Sequence, residues 1–125
     1  MMVTLLWGLA ALLLALIVYA VWFEPAWRLR VVRYDVALPS WGARDPLKIV
    51  IVSDLHAGGP HVPLGRVRRI VARANRQGAD LAVLLGDYAA AHPFTVGMLP
   101  VPRIIEALAH LRAPLGTFAV LGNHD

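Results

Sequence analysis

From Met1 to Phe23 the chain carries no charged side chain, while every Asp, Glu, Lys and Arg lies from Glu24 onward. Residues 2 to 23 supply about 22 mostly apolar positions, which at ~1.5 Å per residue make a helix of ~33 Å, enough to cross the hydrocarbon core of a bilayer. Trp22, Phe23 and Trp27 stand where an aromatic belt would lie. A cleavable leader ending near Val18-Tyr19-Ala20 is the competing reading. The missing Lys or Arg ahead of the run, and the length of the run, favour a retained anchor over residues 1–23. The absence of a polar face speaks against a buried core helix. Glu24-Pro25 is expected to close the helix. Residues 24–46 then form a juxtamembrane segment, in which the alternation Leu29-Arg30-Val31-Val32-Arg33-Tyr34-Asp35-Val36 predicts an amphipathic edge strand.

From residue 47 the pattern changes to strand and helix in turn. Ile49-Val50-Ile51-Val52, four β-branched residues in succession, predict a strand buried on both faces of a helix-covered sheet. Leu81 to Leu85 and Phe118 to Leu121 predict two more strands. Between them, Val67, Ile70, Val71 and Ala74 recur at helical spacing within Leu64 to Gln77, with Gly78 as the stop. Ile104, Ile105, Leu108 and Leu111 do the same within Arg103 to Arg112. Ala89 to Pro102 is too interrupted by Pro93, Gly97, Pro100 and Pro102 for a long helix and reads as a loop beside the strand ends. One crossover helix per pair predicts parallel strands with their C-terminal ends on one edge of the sheet, where open α/β sheets hold ligands.

Those three ends carry the candidate chemistry. The first strand runs into Asp54 and His56, the second into Gly86-Asp87, the third into Gly122-Asn123-His124-Asp125. If the chain stayed extended, period 2 would put Asp54 and His56 on one side, within reach of one ion. Asp and Asn at strand ends often cap turns, so each end alone would be ordinary. Three together, 31 and 36 residues apart (56 to 87, 87 to 123), are not. Oxygen and nitrogen donors of this kind suit Mn, Fe or Zn without choosing among them. His92, in the interrupted loop, and His110 are taken as non-ligands.

Asp54-x-His56, Gly86-Asp87 and Gly122-Asn123-His124-Asp125, in this order, resemble the first three motifs of the calcineurin-like metallophosphoesterases. The hydrophobic N-terminus resembles that of the membrane-anchored bacterial members. The resemblance covers roughly residues 24 to 125 and the layout of the N-terminus. It implies a transmembrane helix followed by the first half of a layered α/β/β/α domain, over residues 47–125. It implies two divalent metal ions, with Asp54 and His56 on the first, Asp87 bridging both and Asn123 on the second. Such a pair clamps a phosphoryl group and acidifies a water for in-line attack. His124 would face the substrate phosphate, stabilising charge or protonating the leaving oxygen, and Asp125 would orient His124. The implied reaction is phosphodiester or pyrophosphate hydrolysis, with a lipid-linked phosphoester and a soluble nucleotide both open as substrates.

One departure is large. The family's later Gly-His and Gly-His-x-His motifs, which complete both metal shells, have no counterpart here. The chain is therefore expected to be the N-terminal portion of a longer enzyme, with poor metal binding and little activity by itself.

Composition modifies this picture only slightly. There are no cysteines, which rules out disulfides and thiolate zinc sites. Net charge is +4, from eleven Arg and a single Lys. Five arginines (66, 68, 69, 73 and 76) on the first crossover helix read as a solvated outer face. No motif for reading bases accompanies them, so nucleic acid is not expected as a specific partner. Arg28, Arg30 and Arg33 directly follow the apolar segment, and a positive-inside count puts the domain in the cytoplasm. The alternative function is a short non-catalytic membrane protein whose basic half binds anionic lipid or a partner chain.

Overall fold

The computed structural model describes residues 2–42, 45–90 and 97–125; His92 lies outside the described residues. The chain divides into two compact units, Met1–Val31 and Val32–Asp125.

The first unit is one continuous helical run. Helix α1 (Met2–Val18) passes into a π turn (Tyr19–Phe23) and then into α2 (Glu24–Trp27). The helix does not close at Glu24-Pro25, as the sequence suggested. The Pro25 ring would press on the carbonyl four residues back and offers no N–H. A π turn immediately ahead, in which the Glu24 N–H reaches back to the Tyr19 carbonyl, opens the coil at that point and lets the helix run on. It ends only where Arg28 turns extended, with an Arg28–Glu24 ion pair one turn apart. An 18-residue window within Met2–Trp27 has a mean hydropathy of 2.4, and none of the α1 residues is buried. At ~1.5 Å per residue it is long and apolar enough to cross a bilayer.

The segment that follows is not the edge strand that its alternation suggested. Residues 28–38 have no regular structure, and a short 3-10 turn occupies Pro39–Trp41. Val32, Tyr34 and Val36 are exposed, because no layer covers them. A strand needs a neighbour for its backbone as well as an alternating pattern.

The second unit has three parallel strands in the order β1 (Ile49–Val52), β2 (Leu81–Leu84), β3 (Thr117–Ala119). Ile51 is in register with Val83, and Val83 with Phe118. Helix α3 (Leu64–Asn75) joins β1 to β2, and α4 (Val101–Leu108) precedes β3. Val67, Val71 and Ala74 of α3 meet Ile104, Ala107 and Leu108 of α4 and Val52 and Leu84 of the sheet in one core. Asn75 fastens the helix ends together: its Nδ2 donates to the His110 carbonyl (2.9 Å) and its Oδ1 accepts the Arg112 N–H (2.9 Å).

Two expectations about burial fail. Of the α4 residues expected inside, Ile104 is fully buried but Ile105 is 47% exposed. The 100° step between neighbours on a helix lets only one of the two face the core. Nor is β1 covered on both faces. Val52 is buried, but Ile51 is 60% exposed and Phe118, two strands away in the same row, 61%. The core lies on one face of the sheet alone, and the other face is an apolar surface of Ile49, Ile51, Phe118 and Val120.

Candidate metal centre

Past the formal strand ends the backbone ladder continues. The Leu85 N–H donates to the Val52 carbonyl and the Val120 N–H to that of Leu84, each at 3.0 Å. The turns beyond are joined in the same way. His56 N–H donates to the Asp87 carbonyl (2.9 Å), Ala57 N–H to Tyr88 (2.8 Å) and Ala90 N–H to Ala57 (3.0 Å). The segments carrying Asp54-x-His56 and Gly86-Asp87 are therefore held side by side by main chain, independently of any ligand.

Their side chains converge, though not by the extended geometry the spacing suggested. Asp54, His56 and Asp87 all have positive φ, at 52°, 40° and 51°. They are the only non-glycine residues with positive φ among those described. Left-handed backbone costs about 1–3 kcal/mol at such positions and persists where surroundings over-determine it. Three in one cluster mark a site where ligand direction outweighs local comfort. One ligand atom from each residue lies within 4.8 Å of the others. Two atoms each ~2.2 Å from one ion stand at most ~4.4 Å apart, so a closing of a few tenths of an ångström fits a divalent cation. The donor set, two carboxylates and an imidazole, suits such an ion.

Asp87 is the buried member; Asp54 and His56 are exposed. The two oxygens of Asp87 are differently engaged. Oδ1 accepts the His124 backbone N–H at 3.0 Å, while Oδ2 lies 3.7 Å from His56 Nε2. The His124 ring stands edge-on to the His56 ring, centroids 5.7 Å apart. The Ser53 hydroxyl donates to Asp54 Oδ2, leaving its other oxygen for a cation.

Gly86 and Gly122 have distinct reasons to be glycine. Gly86 has φ +88°, and a Cβ there would stand 2.2 Å from the Gly122 nitrogen. At Gly122 a Cβ would stand 2.2 Å from Asp87 Oδ1. The first needs a turn and a close approach; the second needs only the close approach.

Asp125 binds the backbone. Its Oδ2 accepts the N–H of Asp87 (2.6 Å) and of Gly122 (2.8 Å), and its Oδ1 that of Tyr88 (2.7 Å). Among the described residues it makes no hydrogen bond to the His124 ring that the sequence reading gave it to orient. Desolvation pushes its carboxyl up, but the N–H groups of Gly122, Tyr88, Asp87 and Ala89 together hold it below the ordinary carboxylate value. Asn123 is exposed beside this turn, and its amide makes no hydrogen bond among the described residues. Two contributors escaped the sequence reading. Ser53 looked like one more polar residue at a strand end. Tyr88, whose hydroxyl donates to the Val120 carbonyl at 2.6 Å and ties β2 to β3, is flagged only by being an aromatic directly after Asp87.

Residues 47–125 match the calcineurin-like phosphoesterase family. The chain belongs to that family. It is 33% identical over 97 residues to an uncharacterized metallophosphoesterase of Aquifex aeolicus, covering 78% of this chain and 35% of that protein. It is 34% identical over 99 residues to the UDP-2,3-diacylglucosamine pyrophosphatase LpxG of Chlamydia trachomatis, covering 78% of this chain and 28% of LpxG. A transmembrane protein with a metallophosphoesterase domain from Danio rerio is 30% identical over 79 residues, covering 63% of this chain and 17% of its own length. The chain thus spans 35% or less of these relatives. No solved structure matches it. The parallel sheet with its helices is a partial metallophosphoesterase α/β domain, preceded by an apolar helix, and the Asp54–His56–Asp87 cluster fits the family's use of divalent metals.

Proposed function

We propose that this chain is the membrane anchor and first ligand-bearing part of a phosphoesterase that hydrolyses a phosphodiester or pyrophosphate with two divalent ions. The observation that carries the reading is the convergence of Asp54, His56 and Asp87, each in left-handed backbone, at the ends of β1 and β2. Bound ions would polarise the phosphoryl group and acidify a water. The chain's own residues do the rest. Asp54, His56 and Asp87 would hold a first ion, with Asp87 Oδ2 towards His56 and Oδ1 steadied by the His124 N–H; Asp87 and the neutral carbonyl oxygen of Asn123 would serve a second. His124, beside the His56 ring, faces the substrate and protonates the leaving oxygen. Asp125 sets the position of the Asp87 turn through the backbone.

Met2–Trp27 is read as a single-pass anchor, and the positive-inside count over Arg28, Arg30 and Arg33 favours a cytoplasmic domain. A lipid-linked pyrophosphate is the favoured substrate class, because the LpxG relatives are named for one and an anchored site meets its substrate in the plane of the bilayer.

The test is turnover by the complete polypeptide, supplied with Mn²⁺ and either UDP-2,3-diacylglucosamine or the soluble diester bis(p-nitrophenyl) phosphate. Hydrolysis should vanish on chelation and in Asp87→Ala. Undiminished turnover in Asp87→Ala would overturn the reading; cleavage of the soluble diester alone would overturn only the lipid-linked assignment.

A further inference from the structure

The outer face of α3 is unusual for a solvated helix. The exposed residues of the helix and its C-cap are Gly65, Arg68, Arg69, Ala72, Arg73 and Arg76, at spacings of 3, 4, 7, 8 and 11 from the first. They form one continuous stripe opposite the buried Val67, Val71 and Ala74. The stripe holds only arginine and residues too small to hide it, and α3 contains no acidic residue. Among the described residues the ion pairs are Arg28–Glu24 and His56–Asp87, so none of these four arginines is paired.

Helix stability does not explain the arrangement. Arg69 and Arg73 repel at i, i+4. Of the four, only Arg73 and Arg76 lie at the C-terminal end, where the helix dipole favours a cation. Arg66 on the flank has its pKa lowered by burial and by the charge of Arg69. The positive face also continues beyond the helix. Arg33 Nη2 donates to Gln77 Oε1 (3.2 Å) and Lys48 Nζ to the Gln77 carbonyl (3.0 Å), just past the end of α3. Arg33 stands six residues after Trp27, a length of chain that reaches at most ~20 Å.

We propose that the Arg68–Arg69–Arg73–Arg76 face of α3 lies on the anionic head groups of the bilayer that holds Met2–Trp27. The inference rests on reading Met2–Trp27 as a membrane anchor. A small-residue floor at Gly65 and Ala72 lets four guanidinium groups spread onto a plane of phosphates. Such attraction acts within about a Debye length, ~10 Å at 0.1 M salt.

The test uses the full chain, which has no cysteine, so Ala72→Cys gives a single labelling site on the stripe. The labelled protein is reconstituted into vesicles of phosphatidylcholine alone, or mixed with phosphatidylglycerol, each with a nitroxide quencher at head-group depth. Flotation with both vesicle types reports the anchor; quenching reports the face. Quenching should occur only with phosphatidylglycerol and disappear at high salt and in R68Q/R69Q/R73Q/R76Q, while flotation persists. Flotation with equal quenching in both lipids, or quenching that survives in the quadruple variant, would overturn the proposal but not the anchor. A label that responds instead to added RNA, in phosphatidylcholine vesicles, would overturn it in favour of nucleic acid. Failure to float would overturn the anchor and this inference together.

Discussion

The Asp125 carboxylate receives the backbone N–H of Asp87 at 2.6 Å, across 38 residues of chain. The contact fixes where the buried Asp87 carboxylate sits without touching that carboxylate. With the bonds from Tyr88 and Gly122 it clamps the turn after β2 against the turn after β3. Asp125→Ala should therefore loosen the Asp87 turn while sparing the core. The measurement is amide hydrogen exchange, with Asp87 and Tyr88 expected to exchange about 10-fold faster or more, as loss of a charge-assisted hydrogen bond implies, and Val67 unchanged. Unaltered exchange at Asp87 would remove Asp125 from the positioning role.

The same contact has a pH signature. The Asp125 carboxyl titrates below its ordinary value of 3.8, so folding favours its ionised form. That contribution is fully present above 3.8 and is lost as pH falls through the lower, folded value. Amide protection at Asp87 and Tyr88 should hold down to pH 3.8 and collapse below it. A loss of protection centred above 3.8 would contradict the assignment.

Gly86 and Gly116 both have positive φ, at 88° and 96°, but only Gly86 is crowded; the nearest atom to a Cβ at Gly116 is Phe118 Cε2 at 3.9 Å. Gly116→Ala should cost about 1 kcal/mol for conformation alone. Gly86→Ala should cost about 3 kcal/mol or more, since a 2.2 Å contact with backbone must be relieved as well. Denaturant unfolding of the two variants checks the difference, and equal losses would contradict the close approach of Gly86 to Gly122.

Ile104 and Ile105 are chemically identical neighbours with opposite surroundings. Ile104→Ala should lose about 2–5 kcal/mol. Ile105→Ala, at a site 47% exposed, should lose under ~1 kcal/mol, partly offset by the better helix propensity of alanine.

The pair also shows how far sequence reasoning reaches. Period 3.6 located α3 and α4, and apolar runs located β1, β2 and β3, because both signals are local. A helix face about 100° wide cannot say which of two adjacent isoleucines finds the core, since that depends on the neighbouring helix. The bare side of the sheet was illegible for the same reason: Ile49 and Ile51 look buried in any sequence, whatever covers them. Leu29–Val36 alternated like a strand and lacked a partner. Asp54, His56 and Asp87 were found through their place at strand ends, yet their left-handed backbone was not, because spacing carries no sign of φ. Asp125 was singled out with the wrong partner in view, since an acidic residue beside a histidine hides the backbone N–H groups that folding brings from 37 and 38 residues away.

Asp54, His56 and Asp87 are expected to hold a divalent ion, and the measurement that checks this is free Mn²⁺ by electron paramagnetic resonance. Titrated with the complete polypeptide, the free Mn²⁺ signal should fall to a saturable limit. In Asp87→Asn, which keeps the shape and the acceptor for the His124 N–H but removes the charge, binding should weaken by more than the ~10–100-fold typical of losing an outer partner. A free Mn²⁺ signal that the wild-type chain leaves unchanged, or that Asp87→Asn lowers equally, would contradict the account.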